Sequence, residues 1–390
     1  MPGIEIDPNR EDPEVRCRQL NVRVGTKTAA TPRRSLCLTS DPHSEAHALS
    51  SNRSITSINE LPREIDKDLL DQIDGDQDQQ EAFGRNIRYR FAGIDTTTDI
   101  TVFILTYNNK GQHPANRQPS EVEVEYLCGL LDHPYNDIWV PPRVPGLSGR
   151  AYIEYLREFY EQVDSNRKVA YAGLIPHIMR LEIRLLTELY QDHEVNYFIV
   201  DFDGRHPLDL YLNVREIAQM IDTIERETGS TCFLHAINVP MTKGRWATQV
   251  VPAKDIPVFA MGFNCFGSSH IRRTLPPEVA EKLKSKSKRP FRVFNRHDYG
   301  YYRSDTPGLK GMAAETEPTV FSLADFTNGL TGTEVNSLEK LLNVERHGLE
   351  AKELRKRLVD KESIGKYIRA KKQMPEIYQR KIFKLKKPAT

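Results

Sequence analysis

The sequence predicts an α/β protein built around a TIM-like (β/α)8 barrel, with an N-terminal β-hairpin extension and a basic α-helical C-terminal tail. Short, continuous apolar segments, which are typical of buried parallel strands, alternate with segments that carry apolar residues at helical spacing. Six or seven such units follow one another along the chain. No glycine-rich dinucleotide fingerprint follows the first strand, which favours a barrel over a Rossmann sheet.

This alternation divides the chain into three regions. We expect an N-terminal extension over residues 1–87, a (β/α) barrel catalytic domain over residues 88–330 and a charged helical tail over residues 331–390. Alternating apolar and polar residues at 20–24 and 35–39 predict two strands of an N-terminal hairpin. The rest of the extension is rich in Ser, Thr and Pro and later becomes acidic and polar, which indicates a linker.

Apolar residues mark the strands of the predicted barrel. They fall at residues 100–105, 137–140, 169–175, 197–200, 232–237, 258–261 and 291–294. Amphipathic spacing predicts helices between them at residues 121–131, 152–163, 179–190 and 214–228. The last of these helices carries Ile217, Met220, Ile221 and Ile224 on one face, and it stops at Gly229, a typical residue for the C-terminus of a helix.

Composition excludes several classes of protein. Of the 390 residues, 38% are hydrophobic and 28% are charged, which is typical of a soluble protein. No apolar run is long enough to cross a bilayer, and the N-terminus lacks the basic and apolar regions of a signal peptide. Five cysteines are dispersed without paired spacing, which predicts neither a disulfide framework nor a metal site. We therefore expect a cytoplasmic protein without a membrane partner or a cofactor; a homodimer is compatible with the sequence.

Basic residues are concentrated in two segments of an otherwise neutral chain, whose formal net charge is +1. Residues 361–390 contain ten Lys and Arg against two Glu, and residues 282–289 form a second basic run. Because Lys and Arg neutralise phosphates, these segments favour a nucleic acid as partner; a solvated helical tail is the alternative. The residues predicted to contact nucleic acid are Lys284, Lys286, Lys288, Arg289, Arg296, Lys371 and Lys372.

Acidic residues at the ends of the predicted strands are the candidates for catalysis, because barrels carry their active sites at the carboxyl ends of their strands. Asp201 and Asp203 follow the strand at residues 197–200 and, two positions apart, face the same side of an extended chain. Two carboxylates in one cleft push their pKa values apart, which yields an acid and a base or nucleophile for chemistry at a glycosidic carbon. Asp298, which lies among basic and aromatic neighbours, is a further candidate nucleophile. A helix cap, a turn and a surface ion pair are the alternative roles of these three residues.

Polar residues near two other strand ends are candidates for binding a base. His235 lies within the strand at residues 232–237, and Asn238 follows it. Asn264, which is preceded by Gly262, can hydrogen-bond the edge of a base or sugar. A buried core histidine and an asparagine that only shapes a loop are the alternatives.

Several segments carry a family resemblance when taken together. Residues 23–32 (Arg-Val-Gly-Thr-Lys-Thr-Ala-Ala-Thr-Pro) end a hairpin in Thr-Pro, and residues 103–112 run from a strand into Thr-Tyr-Asn-Asn-Lys-Gly-Gln. A Pro-Ser-Glu helix start at residue 119 precedes the strand Asp-Ile-Trp-Val, and Gly-Phe-Asn-Cys-Phe-Gly occupies residues 262–267. In order and character these segments resemble the tRNA-guanine transglycosylase superfamily, including its relatives that place 7-deazaguanine bases into DNA.

The resemblance implies a base exchange. A carboxylate attacks the anomeric carbon of a guanine nucleotide and expels guanine, and a 7-deazaguanine then displaces the enzyme. The implied partners are a nucleic acid (DNA or tRNA) and a 7-deazaguanine base. The chain departs from the family pattern, because Tyr107 or Asn108 stands at the position of the first catalytic Asp, and Gly267 stands at that of the nucleophile, with Asn264 in place of the preceding Asp. The zinc-binding Cys-x-Cys-x-x-Cys module is absent. Tyr107 therefore joins the base-binding candidates. The carboxylates expected to do the chemistry are Asp95, Asp201, Asp203 and Asp298.

Two other functions stay open at this point. Asp201 and Asp203 also suit a barrel glycoside hydrolase, and a non-catalytic nucleic-acid-binding barrel that has lost the family's Asp residues is the second alternative. Salt-sensitive binding to DNA or tRNA separates the hydrolase from the other two, and turnover of labelled guanine separates the transglycosylase from the non-catalytic protein.

Overall fold

The computed structural model describes residues 3–39, 44–110, 115–166, 169–176, 182–244, 247–271, 290–312 and 314–386. The strands are β1 (Ile4–Glu11), β2 (Arg18–Val24), β3 (Lys27–Ala30), β4 (Arg33–Arg34), β5 (Leu36–Cys37), β6 (Ile58–Asp66), β7 (Ile100–Asn108), β8 (Ile138–Trp139), β9 (Ala170–Tyr171), β10 (Gly173–Pro176), β11 (Tyr197–Asp201), β12 (Phe233–Val239), β13 (Val250–Pro252), β14 (Cys265–Ser268), β15 (Arg292–Asn295) and β16 (Gly300–Arg303). The helices are α1 (Glu45–Ala48), α2 (Lys67–Gly75), α3 (Gln77–Arg90), α4 (Glu121–Leu131), α5 (Gly149–Asn166), α6 (Ile183–Asp192), α7 (Tyr211–Thr228), α8 (Leu309–Met312), α9 (Gly332–Val359), α10 (Ile364–Arg369) and α11 (Glu376–Lys386). Short 3-10 helices span Ile256–Met261 and Leu323–Asp325.

Two five-stranded parallel sheets form the centre of the molecule. One has the order β5-β6-β7-β8-β9, and the other has the order β10-β11-β12-β14-β4. Only Ser35 separates β4 from β5, and only Ala172 separates β9 from β10, so the chain passes from one sheet to the other at both ends. The backbone N–H of Ser35 donates to Phe266 O, and that of Ala172 donates to Trp139 O. The predicted α/β class, with parallel strands between helices, is therefore confirmed.

Each parallel sheet has an outer face, which is covered by helices, and an inner face. The inner faces of both sheets share one apolar cluster, which includes Ile100 of β7, Ile138 of β8, Tyr197 of β11 and Phe233 of β12. Trp139, Phe198 and Leu234, which follow three of these residues in sequence, point outwards and belong to the cluster that packs against the helices. This alternation follows from the two-residue period of a strand, and each fully buried side chain of this size stabilises the fold by about 1.5–3 kcal/mol.

A three-stranded antiparallel sheet, β1-β2-β3, covers the amino ends of the parallel strands. Its residues Ile4, Leu20 and Val22 join the inner-face cluster together with Ile58 and Ile100, the first residues of β6 and β7. The predicted hairpin strand at residues 20–24 is therefore confirmed, although its partners are β1 and β3. The segment at residues 35–39 was wrongly assigned to this hairpin, because β4 and β5 pair in parallel with β14 and β6.

Two of the predicted barrel strands differ in the structure. Residues 258–261 lie in the 3-10 helix Ile256–Met261, which ends at Gly262 with a φ of 109°, and the parallel strand is β14, a few residues later. The strand predicted at residues 291–294 exists as β15, but it pairs antiparallel with β16 in the separate sheet β13-β16-β15. Apolar character alone identifies neither the partner of a strand nor its direction.

Two features bear on the predicted domains, and a third concerns membrane helices. The parallel sheets begin at β4 and include β6, so they extend well before residue 88. The C-terminal helices pack on the rest of the protein: α9 buries Leu341 and Leu349, and α11 buries Ile382 and Leu385. No helix within the described residues is both long and apolar enough to cross a membrane.

Candidate active site at the inner face and carboxyl ends of the parallel strands

A buried carboxylate, Glu60 of β6, lies at the centre of the inner face. Its Oε1 accepts hydrogen bonds from Ser35 Oγ and from Nε2 of His235 (2.7 Å), and its Oε2 accepts one from Nε2 of His270. Gly267 of β14 leaves room for this carboxylate, because a Cβ at that position would overlap it. Three donors from three different parts of the chain therefore fix Glu60 in place.

The two histidines keep Glu60 ionised. Burial by itself raises the pKa of the Glu60 carboxyl, but hydrogen bonds from His235 and His270 outweigh burial and hold this pKa well below its ordinary range. Burial by itself lowers the pKa of His270, but the neighbouring Cys37 sulfur and the Glu60 carboxylate outweigh it and bring this pKa to about 10. The inner face therefore holds a carboxylate–imidazolium pair that stays charged at neutral pH.

Cys37 of β5 extends this group towards the carboxyl ends. Cys37 and Glu60 are register partners in the parallel pair β5–β6, so both side chains lie on the inner face. The Sγ atom of Cys37 is 3.5 Å from Nδ1 of His270, whose other ring nitrogen binds Glu60. The far side of the group ends at Tyr197, whose hydroxyl is 3.0 Å from Nδ1 of His235.

A second group surrounds Asp201, the last residue of β11. Its Oδ2 accepts a hydrogen bond from Nε of Arg143 (2.5 Å), and its Oδ1 accepts bonds from Nδ2 of Asn238 (2.7 Å) and the backbone N–H of Asp203 (2.9 Å). The backbone N–H of His270 donates to Oδ1 of Asn238 (2.8 Å), which joins this group to the Glu60 group. With three donors around it, the Asp201 carboxylate is suited to holding its neighbours in position.

Asp203 presents the exposed carboxylate of the pair. Its side chain is 45% exposed, and its Oδ1 is 3.7 Å from Nη2 of Arg143, the guanidinium that also binds Asp201. Asp203 has a φ of 48° and Gly204 a φ of 71°, so the chain turns sharply where the strand ends. A left-handed conformation costs a residue other than glycine about 1–3 kcal/mol, and the contacts of Asp201 with Asp203 N and Asn238 hold this turn in place.

The structure therefore brings Asp201, Asp203, His235 and Asn238 together, and it places Asp95 and Asp298 elsewhere. Asp95 lies in the turn before β7, at the amino end of the sheet, where its Oδ1 accepts a hydrogen bond from the backbone N–H of Thr97 (3.0 Å). Asp298 lies in the turn between β15 and β16, where it accepts hydrogen bonds from Gly300 N (3.0 Å) and the Tyr302 hydroxyl. Both shape turns away from the candidate site.

Three predicted base-binding residues also lie outside the site. Asn264 precedes β14 at the amino end, and its Oδ1 accepts a hydrogen bond from the backbone N–H of Leu234 (2.9 Å). Gly262 lies at the same end, where it ends the 3-10 helix. Tyr107 points to the outer face, where its hydroxyl donates to Oε1 of Glu123 on α4 (2.6 Å). These side chains were assigned to the wrong end or the wrong face, because the sequence fixes neither the strand boundary nor the direction of a side chain within it.

The predicted nucleic-acid contacts separate into three cases. The residues that lie outside the described part of the chain are Lys284, Lys286, Lys288 and Arg289. Arg296 is buried and forms an ion pair with Glu315 (2.6 Å). Lys371 is also buried, donates to Arg296 O (2.5 Å) and lies 3.6 Å from the centre of the Tyr367 ring. Lys372 is exposed. Phosphate contact therefore stays a prediction for Lys372, while Arg296 and Lys371 stabilise the packing of the C-terminal helices.

Sequence reasoning missed five members of the site: Ser35, Cys37, Glu60, Arg143 and His270. The strand that carries Glu60 lacks a continuous apolar run, because polar residues and Pro62 separate its apolar residues Ile58, Leu61 and Ile65. Arg143 follows the predicted strand at residues 137–140, and a cation at a strand end was a usable signal. His270 was not selected because the strand before it was predicted at residues 258–261, whereas β14 spans Cys265–Ser268.

Two further observations delimit the site. A cavity of about 590 Å³ lies between α2, α3 and α4, lined by Phe83 and Tyr126 among others, but it is on the outer face and away from Asp201. Among the residues that the structure describes, no group of three or more His, Cys, Asp or Glu side chains is arranged to hold a metal ion.

Comparison with known proteins identifies no family for this chain. No protein-family model matches the chain, and no curated protein shows significant sequence similarity to it.

Proposed function

We propose that this protein is a (β/α)8-barrel transglycosylase that replaces guanine in DNA or tRNA with a 7-deazaguanine, using Asp203 as the nucleophile. The proposal is carried by the pair of carboxylates at the end of β11. Asp201 is fixed by three donors, whereas Asp203 is exposed beside the same Arg143 guanidinium. One carboxylate positions the site, and the other is open to a sugar.

Strand order supports a closed barrel. The segments 33–37, 58–66, 100–108, 138–139, 170–176, 197–201, 233–239 and 265–268 each pair in parallel with the next, and β14 pairs in turn with β4. Eight parallel segments in ring order are the arrangement of a (β/α)8 barrel. Active sites of this fold lie at the carboxyl ends of the strands, where Asp201, Asp203, Asn238 and His270 are found.

The reaction takes place in two displacements at the same carbon. An oxygen of Asp203 bonds to C1′ while the bond from C1′ to N9 of guanine breaks, and guanine leaves with the bonding electrons and takes up one proton. N9 of the 7-deazaguanine then bonds to C1′, the bond to Asp203 breaks, and the incoming base gives up one proton. Arg143 holds Asp203 in place throughout by its proximity to both carboxylates.

A polymeric substrate is supported by the distribution of positive charge. Lys372 is exposed, and residues 282–289 add a second basic run. Cations of this kind contact phosphates without reading sequence, and the target base must leave its stack before C1′ becomes accessible.

The test is incubation of the full-length protein with radiolabelled guanine or 7-deazaguanine, with DNA and bulk tRNA offered in parallel. We expect label to enter one of the two polymers and Asp203→Asn to lower the rate roughly 10³-fold or more, because the nucleophile is lost. Asp222→Asn is the matched control, since Asp222 is similarly exposed and pairs with Arg16 on the outside of α7.

Each other outcome points to one alternative. Binding to either polymer without incorporation of label would favour a non-catalytic nucleic-acid-binding protein. Hydrolysis of a simple glycoside that depends on Asp203, without polymer binding, would favour a glycoside hydrolase. Full exchange activity in Asp203→Asn would refute the assignment of the nucleophile.

A further inference from the structure

The group around Glu60 holds a second nucleophile that the proposed base exchange does not use. Cys37 Sγ lies 3.5 Å from Nδ1 of His270, and Nε2 of the same ring donates to Glu60. A nucleophile, a base and a group that orients the base thus follow one another in contact, which is the arrangement that activates a cysteine for attack on carbon.

The orienting group is held firmly. Besides His270, the Glu60 carboxylate accepts hydrogen bonds from Ser35 and His235, and Gly267 provides the space for it. Glu60 therefore keeps the His270 ring in one orientation, with Nδ1 towards the sulfur of Cys37. A histidine oriented in this way can take the proton of the thiol and later return it to a leaving group.

The ring in contact with Cys37 carries a positive charge. The pKa of His270 is raised to about 10 by Cys37 and Glu60 against the opposite effect of burial, so the ring is an imidazolium at neutral pH. An imidazolium next to a cysteine stabilises the thiolate, which is the reactive form. At Cys128, which is equally buried, burial raises the pKa of the thiol to about 12.

The separation between Cys37 and Cys265 is too large for a disulfide bond. Cys265 is the cysteine of the inner-face cluster, and it pairs in register with Arg33. Arg33 is four residues from Cys37, which at about 3.3 Å per residue separates the two cysteines by roughly 13 Å. A disulfide requires Cα atoms within about 7 Å, so these two cysteines cannot form one without rearrangement of the sheet.

We propose that Cys37, His270 and Glu60 form an acyl-transfer centre, which attacks the carbonyl carbon of an ester or amide substrate. The sulfur bonds to the carbonyl carbon, the bond to the leaving alcohol or amine breaks, and the leaving group departs with the proton that His270 took from the thiol. Water then attacks the thioester with His270 as base, which releases the carboxylic acid and restores the thiol. This activity goes beyond the base exchange and uses none of its carboxylates.

The test is acetylation of the full-length protein by p-nitrophenyl acetate. Release of p-nitrophenol reports the first step, and peptide mass spectrometry locates the acetyl group, with neutral hydroxylamine used to recognise thioesters. We expect Cys37 to be acetylated about a hundredfold or more faster than Cys128, which matches it in exposure at 3%, because Cys37 has the His270 ring in contact with its sulfur.

Variants decide whether the histidine is responsible. His270→Gln should lower acetylation of Cys37 to the rate of Cys128, and Cys37→Ser should remove the thioester, while thermal unfolding reports whether each variant is folded. Cys128→Ala should leave the reaction unchanged. Equal, slow acetylation of Cys37 and Cys128 in the unaltered protein would overturn the proposal, and so would a folded His270→Gln variant that reacts as fast as the unaltered protein.

Discussion

Replacing Gly267 with alanine perturbs the central contact of the candidate site. Gly267 lies in β14, directly opposite the Glu60 carboxylate, and an added Cβ would overlap its oxygens. The carboxylate cannot simply swing away, because Ser35, His235 and His270 all donate to it. We therefore expect Gly267→Ala to destabilise the protein, although alanine ordinarily suits a strand better than glycine does.

The magnitude follows from two effects. Overpacking of a buried site costs about 1–3 kcal/mol. Displacing Glu60 far enough to clear the new methyl group breaks at least one hydrogen bond to a charged group, which costs about 1.5–3 kcal/mol more. For 390 residues the entropy of unfolding is about 0.8 kcal/mol per kelvin, so a loss of about 3–5 kcal/mol lowers the Tm by about 4–6 °C.

Thermal unfolding followed by circular dichroism measures this change, with Gly129→Ala as the matched control. Gly129 lies inside α4, and a Cβ there would meet no atom within 4 Å. The same substitution should stabilise the protein by about 0.5–1 kcal/mol at that position, since alanine is the better helix former.

A double-mutant cycle with Glu60→Ala assigns the effect to the contact. Once the Glu60 side chain is removed, Gly267→Ala should cost at least about 1 kcal/mol less than it does in the unaltered protein. Strict additivity of the two substitutions, or a Gly267→Ala variant as stable as Gly129→Ala, would show that Glu60 does not occupy this space.

The remaining predictions concern the buried Lys371 with its exposed neighbour Lys372, and the buried Asp255. Lys371→Met should destabilise the protein by about 1–3 kcal/mol and leave the salt dependence of DNA or tRNA binding unchanged. Lys372→Met should leave stability unchanged and lower the slope of log K against log salt by about one. Fluorescence anisotropy over a salt series measures both slopes, and a lower slope in Lys371→Met would contradict the buried position of this side chain. Burial raises the pKa of Asp255 to about 6, although hydrogen bonds from Tyr301 and Thr242 oppose it. Since the folded state then binds this proton more tightly than the unfolded state, the contribution of Asp255 to stability should rise by about 2 kcal/mol as the pH falls from 7 to 4 and be lost again as the pH rises through 6. The difference in unfolding free energy between the unaltered protein and Asp255→Asn, measured over this pH range, should show the same pH dependence. A difference that does not change with pH would mean that the folded protein does not shift this pKa.

Where side chains are apolar and local, the sequence was a good guide. The strands at residues 100–105, 197–200 and 232–237 were predicted from apolar runs, and all three are parallel strands in the structure. The carboxylates after β11 were found because a polar side chain directly after a buried strand stands out. The strand that carries Glu60 was missed for the opposite reason, since polar residues and Pro62 separate its apolar residues.

The sequence by itself determined the α/β class, the order of most strands and helices, and the pair Asp201 and Asp203, because each depends on a few neighbouring residues. Only the tertiary structure decided which polar residues meet. Cys37, Glu60 and His270 are far apart in the chain, and they come into contact because β5, β6 and β14 converge on one inner face. It also decided which charges face solvent, since Lys371 and Lys372 are neighbours of the same residue type, and only the packing of the C-terminal helices buries one and exposes the other.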